Sequence, residues 1–163
     1  MIIGIVSDSH DHVKLLRRAL ELFRERKVEA ILHAGDYVAP FSAKLLADPA
    51  LNGGAPVYCV FGNNDGEREG LKAILPQLVD GPLHLELGGR VIVLHHYDRW
   101  IQETALTDAD IVVSGHTHEI VRETRDGIFY LNPGECCGIL SGRATAAVLD
   151  TETIEAEILN LAE

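Results

Sequence analysis

Two mixed β-sheets with helices on their outer faces, an α/β class of fold, are what this 163-residue chain predicts. Three observations predict it. In the first half, short apolar runs alternate with helical periods, as in βαβ units with parallel strands. In the second half, paired strand-like runs are separated by glycine turns, as in hairpins. No repeat, low-complexity segment or linker separates the halves, so residues 1–163 read as one domain.

Ile2–Ser7 is a nearly continuous apolar strand. Val13, Leu16, Leu20 and Phe23 then share one helical face, which predicts an amphipathic helix of about 12–15 residues. Glu29–His33 is a second strand, ending at Ala34-Gly35-Asp36. Pro40 opens a short helix to Ala47, and Asn52-Gly53-Gly54 is a break. Pro56–Phe61 is a third strand closed by Gly62, and Glu67–Leu75 is a helix stopped by Pro76. Asp80-Gly81-Pro82 is a turn. Leu83–Leu87 and Val91–Leu94 flank Gly88-Gly89 as a hairpin, and Trp100–Leu106 is a weaker helix. Ile111–Val113 is a buried strand. Asp126-Gly127 joins Ile120–Thr124 to Ile128–Leu131, and Thr145–Asp150 and Ile154–Leu159 complete the sheets.

Composition narrows the function. Hydrophobic residues are 47% and charged residues 24%, as in a soluble globular protein. The formal charge of −11, from 25 acidic against 14 basic residues, argues against extensive nucleic-acid binding through a broad basic face. It leaves room for a small phosphorylated substrate, because bound divalent ions can invert the local potential. The first apolar run has no basic leader and is too short to span a bilayer, so a cytoplasmic protein without a membrane role is expected. The odd cysteine count, with Cys136 and Cys137 adjacent, is no disulfide framework and fits a reducing interior. Cys59 reads as a small buried hydrophobe, and no CxxC site is present. Neither a dinucleotide fingerprint nor a P-loop occurs.

Histidine and aspartate clusters end the hydrophobic runs: Asp8-Ser9-His10, Gly35-Asp36, His95-His96 and Gly115-His116-Thr117-His118, with Gly62-Asn63-Asn64-Asp65 between the second and third. Singly, each has a plainer reading. Asp8 could cap a helix, and Asp36 or Asn63 could make a turn. Repeated at successive strand ends, they supply carboxylate, amide and imidazole ligands for two divalent ions. Asp8 and His10, like His116 and His118, share a side if the chain stays extended. Asp36 could bridge the ions. Formally, two divalent cations carry four positive charges; Asp8, Asp36 and a bridging hydroxide offset three. The remaining positive charge favours anionic esters.

In these motifs the sequence strongly resembles the calcineurin-like metallophosphoesterases, especially the small YfcE-type phosphodiesterases, over nearly its whole length. Asn132-Pro133-Gly134 is a further family-like element. The resemblance implies an αββα sandwich with a dinuclear centre at one edge. It implies one ion on Asp8, His10, Asp36 and His118, and the other on Asp36, Asn63, His95 and His116. Manganese is the expected activator in vitro, with Ni, Zn, Fe, Co or Mg as alternatives. It also implies direct hydrolysis of a small or exposed phosphate diester by a metal-bound hydroxide, and it makes a homodimer plausible. Phosphomonoesterase activity is the nearest alternative. A metal-binding interaction scaffold of the same fold, like the small retromer subunit, is a more distant one.

The chain departs from the pattern at three places. Asn64 stands where larger relatives have a histidine that touches phosphate. It can donate a hydrogen bond but is no comparable general acid, so modest turnover, a preference for good leaving groups or a substituted acid is expected. Asp65 either orients a ligand or caps the next helix. His96 follows the expected ligand His95 where many relatives have glycine. It should project oppositely, as a structural, surface or pocket-rim residue. Glu135 replaces a small hydroxyl residue; it selects substrate, binds a further cation or points to solvent. His12 either contacts phosphate or sits at a helix start, and His33 reads as core or support.

Overall fold

The computed structural model describes residues 1–162. Ten strands form two five-stranded sheets. In the first, β1 (Ile2–Val6), β2 (Ala30–His33) and β3 (Val57–Cys59) run parallel, while β9 (Thr145–Asp150) and β10 (Glu155–Asn160) continue the sheet antiparallel. In the second, β5 (Arg90–Leu94), β6 (Ile111–Val113) and β8 (Ile128–Pro133) are parallel. Its antiparallel edges are β4 (Leu83–Leu87) and β7 (Ile120–Arg125). The fold is the expected sandwich of two mixed sheets.

Ile3, Ile5, Leu32, Ala147 and Leu149 of the first sheet meet Ile92, Leu94, Ile111, Val113 and Leu131 of the second in an aliphatic core. The opposite face of the first sheet packs under α1 (Val13–Glu25), α2 (Pro40–Ala47) and α4 (Arg68–Ile74). Leu16, Leu20 and Phe23 of α1 are fully buried there, as the period-3.6 pattern requires. Phe23 occupies the space over Gly4, where any Cβ would stand 2.7 Å from its ring. A short helix α3 (Pro49–Asn52) precedes the expected Gly53-Gly54 break.

The segment expected as one helix over Trp100–Leu106 forms two 3₁₀ turns instead, Asp98–Trp100 and Glu103–Leu106, with extended backbone at Ile101 and Gln102 between them. These turns lie in the β5–β6 crossover. Val93 and Val112, opposite in parity to the inner-core residues of their strands, are nonetheless fully buried. Among the described residues, no helix is long and apolar enough to cross a membrane.

Parallel pairing sets the site. Val6 lies level with His33 and His33 with Cys59. Leu94 lies level with Val113 and Val113 with Leu131. Six strands therefore deliver their carboxyl ends, and the polar clusters behind them, to one edge of the sandwich. Crevices at such ends are where open α/β sheets bind ligands.

Candidate metal centre

The loops at this edge leave the strand conformation at once. Asp8, His10, Asp36, His116 and His118 all have positive φ, between 41° and 68°. On this left-handed backbone, rather than on an extended strand, Asp8 and His10 come together, while His116 reaches Asn63 and His118 reaches Asp8. Non-glycine residues held here cost roughly 1–3 kcal/mol each, strain that gathers where a ligand must be gripped. Glycine allows the loops to close on one another. A Cβ on Gly115 would collide with Ser7 Oγ and Asp8 Oδ2, and one on Gly62 would collide with the Asp36 carboxylate.

One half of the cluster holds Asp8, His10, Asp36 and His118. Donor atoms of Asp8, His10 and Asp36 lie within 4.8 Å of one another, as do those of His10, His118 and Cys137. The two groups share His10, so they describe one neighbourhood. Asp8 Oδ2 accepts from the His116 amide at 3.0 Å, but Asp8 Oδ1 and His10 Nε2 are buried without a hydrogen-bond partner. Asp8 Oδ1 is 3.4 Å from His118 Nε2. Burial pushes the Asp8 carboxyl up to about 7. A fully buried carboxylate oxygen aimed at imidazole nitrogens fits a cation site, because a buried charge needs a partner.

The other half is where sequence and structure part. His95 is not brought to the cluster. Its Nδ1 accepts from the Tyr97 amide at 3.1 Å, and its ring meets Trp100 edge-on, 6.0 Å between centroids. His96, expected at the rim or the surface, is fully buried and points inward. Its Nε2 lies 2.9 Å from Asn63 Oδ1, 3.2 Å from His116 Nδ1 and 3.5 Å from Asp36 Oδ2. The reason is strand parity: Ile92 and Leu94 face the inner core, and His96 continues that face. The two histidines do project oppositely, but it is the second that enters the site.

His96 Nδ1 is 2.7 Å from the Ala34 carbonyl, which fixes its proton there and leaves the Nε2 lone pair free. Burial, partly opposed by Asp36, lowers the His96 pKa to about 4, so the ring is neutral. That lone pair faces Asn63 Oδ1, which also lies 2.7 Å from His116 Nδ1. His96 Nε2, Asn63 Oδ1 and a ring nitrogen of His116 converge on one point; in the His116 tautomer that leaves Nδ1 unprotonated, all three present lone pairs, a fit for a cation. Asp36 Oδ2 stands between the halves, 3.6 Å from His10 Nε2 and 3.5 Å from His96 Nε2. The arrangement is consistent with a dinuclear metal site.

The surrounding residues hold these atoms in place. Asn64 donates to both oxygens of Asp36, from its amide and its side chain, at 2.8 Å each. Asp65 caps no helix; α4 starts at Arg68 behind Glu67. Its carboxylate instead accepts from the amides of Gly62 at 2.7 Å, Asp36 at 3.2 Å and Val38 at 2.7 Å, tying two ligand loops together. Burial raises its pKa. His33 links to Ser9 Oγ at 3.1 Å, accepts from the Gly35 amide at 3.1 Å and stacks on Tyr37. Its burial holds it neutral. His12 accepts from the Leu15 amide as the cap of α1. These contacts place it at the helix start rather than in the ligand cluster.

Glu135 is fully buried rather than solvent-facing. It accepts from His118 Nδ1 at 2.7 Å, Cys137 Sγ at 3.1 Å and Ser141 Oγ at 2.7 Å. The amides of Ile139, Leu140 and Ser141 also donate to it. Burial alone would raise the carboxyl; the bonds from Ser141, His118 and Cys137 outweigh it and hold the group well below the usual carboxylate range. Carboxylate on Nδ1 directs His118 Nε2 toward Asp8, the arrangement that raises a ligand imidazole's basicity. Trp100 adds an aromatic wall: it is 52% exposed, with its ring 5.4 Å from His116 and from Tyr97.

Comparison with known proteins agrees with this architecture. The calcineurin-like phosphoesterase superfamily domain matches residues 1–154. The chain is 39% identical over 163 residues to phosphodiesterase MJ0936 of Methanocaldococcus jannaschii, covering 95% of this chain and 96% of that protein. It is 30% identical over 165 residues to phosphodiesterase YfcE of Escherichia coli, covering 94% and 90%. A solved archaeal phosphodiesterase superposes with a TM-score of 0.85 at 39% identity, over 98% of this chain and 99% of its own. With this edge, these ligand loops and these relatives, the chain belongs to the calcineurin-like metallophosphoesterase superfamily and, within it, to the YfcE-type phosphodiesterase family.

Proposed function

We propose that the chain is a metal-dependent phosphodiesterase acting on a small or exposed phosphate diester. The observation that carries this is the unpartnered, buried Asp8 Oδ1 facing His118, beside a second convergence of Asn63, His96 and His116 across Asp36. The relatives named as phosphodiesterases support the diester. Asp8, His10, Asp36 and His118 would hold one ion; Asp36, Asn63, His96 and His116 would hold the other. Two divalent ions, when bound, acidify water and polarise phosphoryl oxygens. Manganese is our choice of activator, since carboxylate, amide and imidazole donors accept it without excluding Ni, Zn, Fe, Co or Mg.

The chain's own residues set the reaction's limits. Asn64 is committed to the Asp36 carboxylate and carries no transferable proton, so it supplies no general acid to the leaving oxygen. Esters with good leaving groups are therefore favoured. The −11 formal charge keeps the substrate small rather than an extended nucleic acid. Three free cysteines suit a reducing, cytoplasmic setting.

The test loads the metal-free protein separately with Mn²⁺, Ni²⁺, Zn²⁺ and Mg²⁺ and assays matched aryl phosphate monoesters and diesters across pH. Metal-dependent cleavage with diesters preferred is expected. No hydrolysis above a His116→Ala control would reject the enzyme, and a strong monoester preference would overturn the substrate class. The ligand assignment has its own check, metal content after dialysis. His96→Ala should retain about one ion per chain fewer than wild type, whereas His95→Ala should retain the full complement. The reverse pattern would restore His95 as the ligand.

A further inference from the structure

Cys137 has no part in the centre proposed above, yet it is built into the same wall. It is 4% exposed and free of disulfide. Its amide donates to the Asp8 carbonyl at 3.1 Å, and the preceding amide, of Cys136, donates to the Ser7 carbonyl at 2.9 Å. The cysteine loop is thus stitched to the loop that carries Asp8 and His10. From the other side, Glu135 Oε2 receives both Cys137 Sγ at 3.1 Å and His118 Nδ1 at 2.7 Å. The result is that Cys137 Sγ and donor nitrogens of His10 and His118 lie within 4.8 Å of one another.

A buried thiol packed among aliphatic groups is ordinarily just a small hydrophobe. Cys59 fits that description, set among the helices and the first sheet. Cys137 does not, because its sulfur has imidazole and carboxylate neighbours. A second observation points to an ion at this spot: Asp8 Oδ1, fully buried and without a hydrogen-bond partner, lies 3.4 Å from the same His118 ring.

We infer that Cys137 is a thiolate ligand of the ion held by Asp8, His10, Asp36 and His118. The inference rests on the dinuclear reading. When the ion binds, the S–H bond breaks, the proton leaves to solvent, and the sulfur lone pair forms the metal–sulfur bond; no electron is transferred. The two halves of the centre then differ in kind. The half with Cys137 combines a soft sulfur with nitrogen and oxygen, whereas the half of Asn63, His96 and His116 offers only nitrogen and oxygen. Soft donors favour Zn²⁺ and Co²⁺ over Mg²⁺ and Mn²⁺, so the half with sulfur should select the softer ion.

Cobalt decides the matter without reference to activity. Metal-free full-length protein is titrated with Co²⁺ while near-ultraviolet absorption and bound metal are both followed. Wild type should develop a thiolate-to-cobalt charge-transfer band that saturates at one ion per chain. Cys59→Ser should keep the band; Cys137→Ser and Cys137→Ala should lose it. The Cys137 variants should also bind Zn²⁺ on the order of 10-fold more weakly, with Mg²⁺ affinity unchanged. Two cobalt ions bound by wild type without the band would overturn the thiolate and leave the dinuclear centre standing. No bound cobalt would overturn both. Because wild-type absorption is itself decisive, a variant that failed to fold would not rescue the proposal.

Discussion

Asp36→Asn is expected to lower metal-dependent hydrolysis by on the order of 10³-fold, about 4 kcal/mol of transition-state stabilisation. It should also reduce the metal retained after dialysis. Among the candidate ligands, Asp36 places one oxygen near imidazoles of both halves, at 3.6 Å from His10 and 3.5 Å from His96. An asparagine keeps the shape but loses the charge, and its NH₂ cannot bridge two cations. The Asn64 side chain, which now donates to Asp36 Oδ2 at 2.8 Å, would face another donor if that NH₂ took the same position. Steady-state kcat/KM with an aryl diester, together with metal analysis, measures both effects. A variant with two ions per chain and activity within tenfold of wild type would remove Asp36 from the bridging position.

Glu135→Ala is expected to weaken metal binding by about 10–100-fold, the usual cost of losing a group that orients a ligand histidine. It should also cost stability even without metal. The carboxylate is fully buried and receives His118, Cys137, Ser141 and three consecutive loop amides. Leaving those donors without an acceptor costs roughly 3 kcal/mol or more. That corresponds to a fall of about 6–12 °C in Tm for a domain of this size. Glu135→Gln should be milder, since its amide oxygen can still accept from His118, but its NH₂ would meet the loop amides as a second donor. Metal titration and thermal melting of the metal-free protein separate the two losses. Unchanged metal affinity in both variants would mean that His118 needs no orienting partner.

The framework was legible because its signals are local. Glycine turns at Gly88-Gly89 and Asp126-Gly127 fix hairpins, and the Leu16–Leu20–Phe23 spacing fixes α1. The composition of Trp100–Leu106 permits one helix; the extended backbone at Ile101 and Gln102 breaks it. Much of the metal edge was equally visible, since residues at the ends of parallel strands must share an edge. The side chains' directions were harder to read. Val91–Leu94 is apolar on both faces, so its pattern could not show which face is inner, and the choice between His95 and His96 hung on that parity. The useful signal was that Ile92, Leu94 and His96 share it. Glu135 was opaque for another reason. A carboxylate can be buried only where partners satisfy it, and those partners come from His118 and from a loop that folds back on the glutamate. Nor does the sequence announce that five of the candidate ligands adopt left-handed backbone.

Anomalous diffraction from crystals of the wild-type protein soaked in Mn²⁺ would locate the ions and their ligands. Two peaks are expected at the strand-end edge with Asp36 between them. One should be bound by Asp8, His10 and His118, and the other by Asn63, His96 and His116, with His95 turned toward Trp100. A single peak, or a second ion held by His95 in place of His96, would contradict this assignment.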